Sequence, residues 1–128
     1  MNLLLDTHVF IWWSISTQNL SSQVEKLIAD TNNALFLSLA SVWEMQIKIQ
    51  LGKLDLDVAL SELIQKQQEV NSLNLLPIKV NHIYALTNLA NHHKDPFDRL
   101  IIAQSIVENI DLISIDKVFD KYSIDRIW

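Results

Sequence analysis

A chain of 128 residues, 49% of them hydrophobic, is long enough for one domain, here residues 1–128, that buries about two-thirds of the surface exposed by its unfolded form. It has no cysteine, which excludes disulfide bonds and thiolate metal sites, and the lack of a long uncharged apolar run or a basic leader predicts a cytoplasmic protein with no membrane span. The net charge of −5 at pH 7 argues against nucleic-acid binding, unless bound divalent cations neutralise part of the acidic charge.

The chain begins with a short apolar run that ends at an acid. Residues 2–5 are too few for a helix and predict a buried strand, with Asp6 at its carboxyl end. An apolar helix is predicted over residues 7–14, and Asp6 also suits the N-cap of that helix. The pattern leaves both roles open for Asp6. Trp12 and Trp13 could form a partner-binding surface, but aromatic residues at helical spacing are more often core or dimer interface.

A second strand and helix repeat this order. Residues 34–39 predict a buried strand, and residues 40–51 predict a helix that Gly52 closes. Glu44 lies within the apolar surface of this helix. An i, i+4 ion pair with Lys48 is the simpler explanation for Glu44 and contributes only about 0.2–0.5 kcal/mol.

The next part of the chain predicts scaffold elements. Asp57 is a suitable cap for a helix that reaches residue 70. Pro77 restricts a short strand within residues 73–78 to an edge of the sheet. A helix over residues 80–90 carries His82, for which we expect a surface or capping position.

The helix that follows contains the most informative acid. Asp95 suits the N-cap and Pro96 the first helical position. Asp98 then shares a face with Ile101 and Ile102 on a helix that is apolar nearly all round, so burial of its carboxylate requires compensation. A cation, a hydrogen-bond network or the helix dipole alone can supply this compensation. Convergence of other acids on the same place would favour a functional site over the helix dipole alone.

The last elements complete an alternating pattern. Residues 111–115 predict a buried strand followed by Asp116, then a short helix over 117–122 and a terminal strand over 125–128. Strands that alternate with helices predict an α/β sandwich in which helices cover both faces of a mostly parallel sheet.

Binding sites in open parallel sheets lie beyond the carboxyl ends of the strands. Four acids from distant parts of the sequence are therefore predicted to converge at one edge: Asp6, Glu44, Asp98 and Asp116. Because like charges repel, either several are protonated or a hard cation is bound. Oxygen ligands favour one or two Mg²⁺ or Mn²⁺ ions, which can activate water to hydrolyse a phosphate ester.

Four motifs stand in order along the chain: LLLDTH around Asp6, SVWE around Glu44, HKDPFDR around Asp98, and Asp116 followed by Phe119. Together they resemble the PIN-domain nucleases over essentially the whole chain, and most closely the VapC-type toxins of bacterial toxin–antitoxin pairs. The resemblance implies a three-layer α/β/α sandwich and a metal-dependent endoribonuclease. It also implies a homodimer that cleaves RNA and is held inactive by an antitoxin whose tail occupies the active-site groove.

The resemblance also assigns roles to individual residues. It places Asp6, Glu44, Asp98 and Asp116 in the family's acidic quartet, as catalytic and metal-binding residues. Thr7 matches a hydroxyl often found beside the first acid, and Ser114 keeps the hydroxyl of a threonine common two residues before the last acid. The resemblance implies that both hydroxyls bind substrate. Arg99 could contact phosphate or pair with an acid. Asp95 is an alternative ligand, although its place before Pro96 fits an N-cap better.

Two other functions compete with this prediction. The first is a binding module with the same fold whose acid cluster is no longer catalytic, although all four acids are present. The second is a metal-dependent phosphohydrolase acting on small molecules, although the chain lacks the Asp-x-Asp pair that such enzymes often carry.

Overall fold

The computed structural model describes all of residues 1–128. Its sheet has five strands, all parallel: β1 Asn2–Leu5, β2 Ala34–Ser38, β3 Asn74–Leu76, β4 Asp111–Ile113 and β5 Arg126–Ile127. The six α-helices are α1 Thr7–Ile15, α2 Ser22–Ala29, α3 Leu39–Gln50, α4 Leu60–Asn71, α5 Val80–Ala85 and α6 Pro96–Glu108. Short 3₁₀ helices lie at Thr17–Asn19, Leu86–Asn88 and Lys117–Lys121. None of the helices has the length and apolar character that crossing a membrane requires.

The strand order β3-β2-β1-β4-β5 makes β1 the central strand. Leu5 at its end pairs with Leu37 of β2 on one side and Ile113 of β4 on the other. After β1 the chain continues to β2 on one side of the sheet, whereas after β4 it continues to β5 on the opposite side. The direction in which strands are added therefore reverses between β1 and β4. Parallel sheets bind ligands at such a reversal, beyond the carboxyl ends of the strands. Asp6 follows β1 and Asp116 lies three residues beyond β4, so the fold places both beside this point.

Two hydrophobic cores cover the two faces of the sheet. Leu3 and Leu5 point into the larger core with α1, α2, α3 and α4, whereas Leu4 points into the smaller core with Ile101 and Ile102 of α6. Successive side chains of a strand face opposite sides, so a central strand covered on both faces must be apolar at every position. The predicted three-layer sandwich with a mostly parallel sheet is confirmed.

Three predicted helix ends are also confirmed. Asp6 caps α1 by accepting a 2.8 Å hydrogen bond from the Thr7 amide, and Asp95 caps α6 by accepting from the amides of Phe97 and Asp98 at 2.8 and 3.0 Å. Gly52 ends α3 with a φ of 71°, a left-handed conformation that a glycine adopts without steric cost.

The predicted cap at Asp57 is wrong. Helix α4 begins at Leu60 after Ala59, which makes no side-chain capping bond. Asp57 instead has a φ of 62°, and its amide donates to the Asp55 carboxylate at 3.1 Å. The Asp55 carboxylate therefore forms an Asx turn, in which it accepts the hydrogen bond of the Asp57 amide before the helix starts.

His82 caps a helix as expected, but it is not on the surface. Its side chain is fully buried; Nδ1 accepts from the Lys79 amide at 2.9 Å, and Nε2 lies 2.8 Å from Oε1 of Glu108. The imidazole therefore joins the start of α5 to the last residue of α6. The sequence did not show this because Glu108 is 26 residues away.

Trp12 and Trp13 are half-buried and pack against the larger core. The Trp12 ring lies edge-on to Trp128 with a centroid distance of 5.8 Å, and the Trp13 ring lies edge-on to Phe10 at 6.3 Å. Both indoles therefore serve chiefly as packing between α1 and its neighbours, as aromatic pairs of this geometry commonly do.

Candidate active site

Three of the four acids interact with one another through their charges. Asp6 follows β1, Glu44 lies in the second turn of α3, and Asp98 is the third residue of α6. Asp6 and Glu44 are both near enough to Asp98 for their negative charges to affect its ionisation. The topology thus brings together acids that are separated by up to 92 residues in the sequence.

The ionisation of these acids reflects their crowding. Burial raises the pKa of Asp98 to about 7, and the charges of Asp6, Asp95 and Glu44 add to this rise. Burial also raises the pKa of Asp6, and the nearby Glu44 charge acts in the same direction, against hydrogen bonds from Ser114 and Thr7. A bound proton or a bound cation would relieve this repulsion.

Two buried hydroxyl groups hold the acids in place. Ser114 donates a 2.7 Å hydrogen bond to Oδ2 of Asp6 and accepts one from the Asp116 amide at 3.1 Å. Thr7 donates to Oε1 of Glu44 at 2.8 Å. Both hydroxyls therefore contact the protein's own carboxylates, and the substrate-binding role expected for them stays a prediction.

Glu44 has a second partner in Lys48. Its Oε2 atom lies 3.0 Å from the Lys48 ammonium, so the i, i+4 pair expected from the sequence is present. Yet Glu44 is only 7% exposed, and its other oxygen is bound to Thr7 of α1. The carboxylate of a simple surface ion pair would be exposed to water, and that of Glu44 is not. Glu44 is therefore part of the acid cluster as well as of the pair with Lys48.

Asp116 has different surroundings. Oδ2 lies 2.9 Å from Nε2 of His93, and Oδ1 accepts from the Val118 amide at 3.0 Å, which caps the last 3₁₀ helix. Burial alone would raise the pKa of Asp116, but the hydrogen bonds from His93 and Val118, with the charge of Arg126, hold it below its ordinary value. The fourth acid is thus linked to the cluster chiefly through Ser114.

The Arg99 side chain binds backbone carbonyl groups. Its guanidinium donates to the carbonyl oxygens of Ala90 at 3.0 Å, His93 at 3.4 Å and Leu89 at 3.4 Å. It makes no ion pair with an acid, so that alternative for Arg99 is not seen. It instead fastens the segment before α6 to the helix itself, and a contact with phosphate stays a prediction.

Sequence reasoning gave no role to two residues at this site, of which one contacts Thr7 and the other Asp116. The Ser41 hydroxyl lies 2.9 Å from that of Thr7, and His93 binds Asp116. Ser41 lies one helical turn before Glu44, which was the available signal, since residues three apart share a helix face. His93 is 23 residues from Asp116, and no local pattern reveals such a pair.

The donor chemistry of this site fits a hard divalent cation. Its side chains offer carboxylate oxygens, which Mg²⁺ and Mn²⁺ prefer, and mutual repulsion favours a positive ion among them. In their present orientations, no three His, Cys, Asp or Glu side chains form a group that could hold a metal ion. Binding would therefore require carboxylates to turn from their present partners, such as Lys48 for Glu44.

Known proteins share both sequence features and fold with this chain. The family model for the PIN domain matches residues 3–125. Ribonuclease VapC22 of Mycobacterium tuberculosis is 29% identical over 116 residues, which are 90% of this chain and 87% of the relative.

Solved structures with the same fold include two VapBC complexes. VapBC2 from Rickettsia felis, bound to a DNA fragment from its promoter, contains a chain that matches with a TM-score of 0.71 and 16% identity, covering 99% of this chain and 98% of that one. VapBC-1 from nontypeable Haemophilus influenzae gives a TM-score of 0.70 and 18% identity, covering 99% and 97%. At these identities the likeness concerns the fold.

Proposed function

This chain belongs to the PIN-domain family, and from that premise we propose that it is a metal-dependent endoribonuclease, the toxin of a toxin–antitoxin pair that acts in the cytoplasm. The observation that carries the proposal is the cluster of Asp6, Glu44 and Asp98 at the reversal point of the sheet, where burial raises the pKa of Asp98 to about 7 and the charges of the other two acids add to the rise. The similarity to a relative named as a ribonuclease supports the same reaction.

The four acids would share the work of the site. Asp6, Glu44 and Asp98 would hold one or two Mg²⁺ or Mn²⁺ ions, and Asp116 would complete the set. A divalent cation bound there lowers the pKa of a water molecule and neutralises charge on the phosphodiester. Ser114 and Thr7 keep the Asp6 and Glu44 carboxylates oriented, since each donates to one of their oxygens.

We propose single-stranded RNA as the substrate. Trp43, next to Glu44, is 59% exposed, and its ring lies edge-on to Phe97 with a centroid distance of 5.2 Å. An exposed indole beside an acid cluster offers an unpaired base a surface on which to stack. Lys48 is half-exposed on the same helix, and it is placed to meet a phosphate once Glu44 binds a cation instead.

RNA cleavage should require a divalent cation. We expect purified protein to cut a mixed RNA pool in Mg²⁺ or Mn²⁺ and to stop when excess chelator is added, because the carboxylates alone repel the phosphate charge. Gel analysis of the pool would measure the products. Turnover of a nucleotide monoester in place of RNA would indicate a small-molecule phosphohydrolase, and a folded protein with neither activity nor metal binding would indicate a binding module.

The proposed partners are an antitoxin and a second copy of the chain. The VapBC complexes that share the fold support a protein partner of the antitoxin type. The dimer is supported by helix α5, where Val80, Ile83 and Tyr84 share one face and are at least half-exposed. An apolar face of this kind on a short helix favours contact with another protein surface.

We expect the dimer to dissociate when this face is charged. Light scattering of the wild-type protein should give twice the 14.8 kDa mass of the chain, and Tyr84→Glu should give the monomer mass because it buries a charge in the apolar contact. Asn81→Glu is the matched control, since Asn81 is exposed on the same helix. A wild-type protein that is monomeric at micromolar concentration would contradict the dimer.

A further inference from the structure

His93 is enclosed by aromatic rings and bonded at both nitrogens. Its side chain is only 9% exposed. Its ring stacks on Phe119 with a centroid distance of 4.5 Å and an interplanar angle of 19°, and lies 5.5 Å from the ring of Tyr122. Nδ1 is 3.1 Å from the Tyr122 hydroxyl, and Nε2 is 2.9 Å from Oδ2 of Asp116. The imidazole therefore has little freedom to rotate.

The hydrogen bonds also define which nitrogen carries the proton. The ionised Asp116 carboxylate can only accept, so Nε2 of His93 is the donor to it. The Tyr122 hydroxyl oxygen accepts from the His92 amide at 3.0 Å, and its own proton is available to Nδ1 of His93. Nδ1 is then an acceptor, so the neutral ring carries its proton on Nε2 and donates it to Asp116. A chain of donors thus runs from the backbone through Tyr122 and His93 to the carboxylate.

Asp116 depends on this donor for its orientation. Its side chain is 38% exposed and has one other hydrogen bond, from the Val118 amide to Oδ1. A hydrogen bond from one backbone amide to one oxygen leaves the carboxylate free to turn about that contact. A second donor on the other oxygen fixes the plane of the carboxylate. His93 supplies the second donor from a rigid aromatic surround.

We propose that His93 is the positioning residue for Asp116. The Tyr122 hydroxyl donates to Nδ1 of His93 and so keeps the ring proton on Nε2, which donates to Asp116. The consequence for metal binding rests on the proposed function, whereas the orientation of Asp116 does not. Partners that orient ligating side chains in this way change metal affinity or activity about 10- to 100-fold when they are removed.

The alternative is that His93 serves only to fill space between Phe119 and Tyr122. Two substitutions separate the roles. His93→Leu keeps apolar volume but has no donor, whereas His93→Gln carries an amide N–H that reaches close to the position of Nε2. A filler role predicts that Leu is tolerated at least as well as Gln, and a positioning role predicts that Gln rescues what Leu loses.

The first measurement is made by NMR in chelator, without metal or RNA. We expect the imidazole ¹⁵N signals of His93 to show the Nε2–H tautomer, and Tyr122→Phe to shift them. The carboxyl ¹³C signal of Asp116 should move in His93→Leu and stay near its wild-type position in His93→Gln. His92→Gln is the control, because it removes a neighbouring imidazole that packs edge-on against Tyr122 but forms no hydrogen bond through its ring nitrogens.

The second measurement is calorimetric titration with Mn²⁺. His93→Leu should weaken binding about 10- to 100-fold, and His93→Gln should recover most of the loss. An Nδ1–H tautomer, or an Asp116 signal unchanged in His93→Leu, would overturn the proposal. A wild-type protein that neither binds Mn²⁺ nor cuts RNA would refute the proposed function instead, and the chelator spectra would still decide the role of His93.

Discussion

Asp98→Asn is expected to abolish RNA cleavage, with a loss of about a hundred- to a thousand-fold or more. The substitution keeps the size of the side chain but removes the charge that would hold a cation beside Asp6 and Glu44. Because it also removes the cost of burying this charge, and the repulsion from Asp6 and Glu44 that adds to that cost, the metal-free variant should be at least as stable as wild type. Single-turnover cleavage and thermal unfolding measure the two effects on one preparation.

Asp95→Asn provides the matched control. It lies three residues earlier and removes the same charge, but asparagine is as good an N-cap as aspartate and preserves the bonds to the Phe97 and Asp98 amides. We expect this variant to retain nearly full activity. The reverse result, with Asp95→Asn inactive and Asp98→Asn active, would make Asp95 the ligand and remove Asp98 from the site.

The fold and the edge that carries the site followed from short-range rules. The apolar run before Asp6 was too short for a helix, and the proline after Asp95 identified the start of α6. Once strands and helices alternated, the rule that sites lie beyond the carboxyl ends of parallel strands placed the acids near one edge. These inferences needed only neighbours in the sequence and a general property of parallel sheets.

The finer chemistry depended on contacts between distant residues. His82 with Glu108, and His93 with Asp116, are pairs across 26 and 23 residues, and neither leaves a periodic pattern. The difference in ionisation among the acids also depends on contacts between distant residues. Three repel one another in a partly buried cluster, while Asp116 is stabilised as an anion by donors that only the folded chain brings near.

The second large effect concerns stability and its dependence on pH. The folded-state pKa of Asp98, about 7, lies above its ordinary value of 3.8, so between these values the folded state binds the proton more tightly than the unfolded state. The stability from this group is fully present below about pH 4 and is lost as the pH rises through 7. In chelator, we therefore expect the free energy of unfolding to fall between pH 5.5 and 7.5.

The size of this loss is moderate because Asp98 is partly solvated. The interval from pH 5.5 to 7 corresponds to about 2 kcal/mol at 1.36 kcal/mol per unit, and solvent screening reduces the expected loss to about 1 kcal/mol. Asp116 does not interfere, since its lowered pKa affects stability only as the pH falls below its ordinary value. Urea unfolding at the two pH values would measure the difference.

Metal should reverse this dependence if the acids form the binding site. A cation that binds only the folded state stabilises it by mass action, and protons compete with it at pH 5.5. Millimolar Mg²⁺ should therefore raise stability more at pH 7.5 than at pH 5.5, and Asp98→Asn should weaken both the loss in chelator and the gain in Mg²⁺. If the free energy of unfolding changed equally with pH in wild type and Asp98→Asn, the charge on Asp98 would not destabilise the fold. The measurement would then contradict the repulsion that favours a cation at this edge.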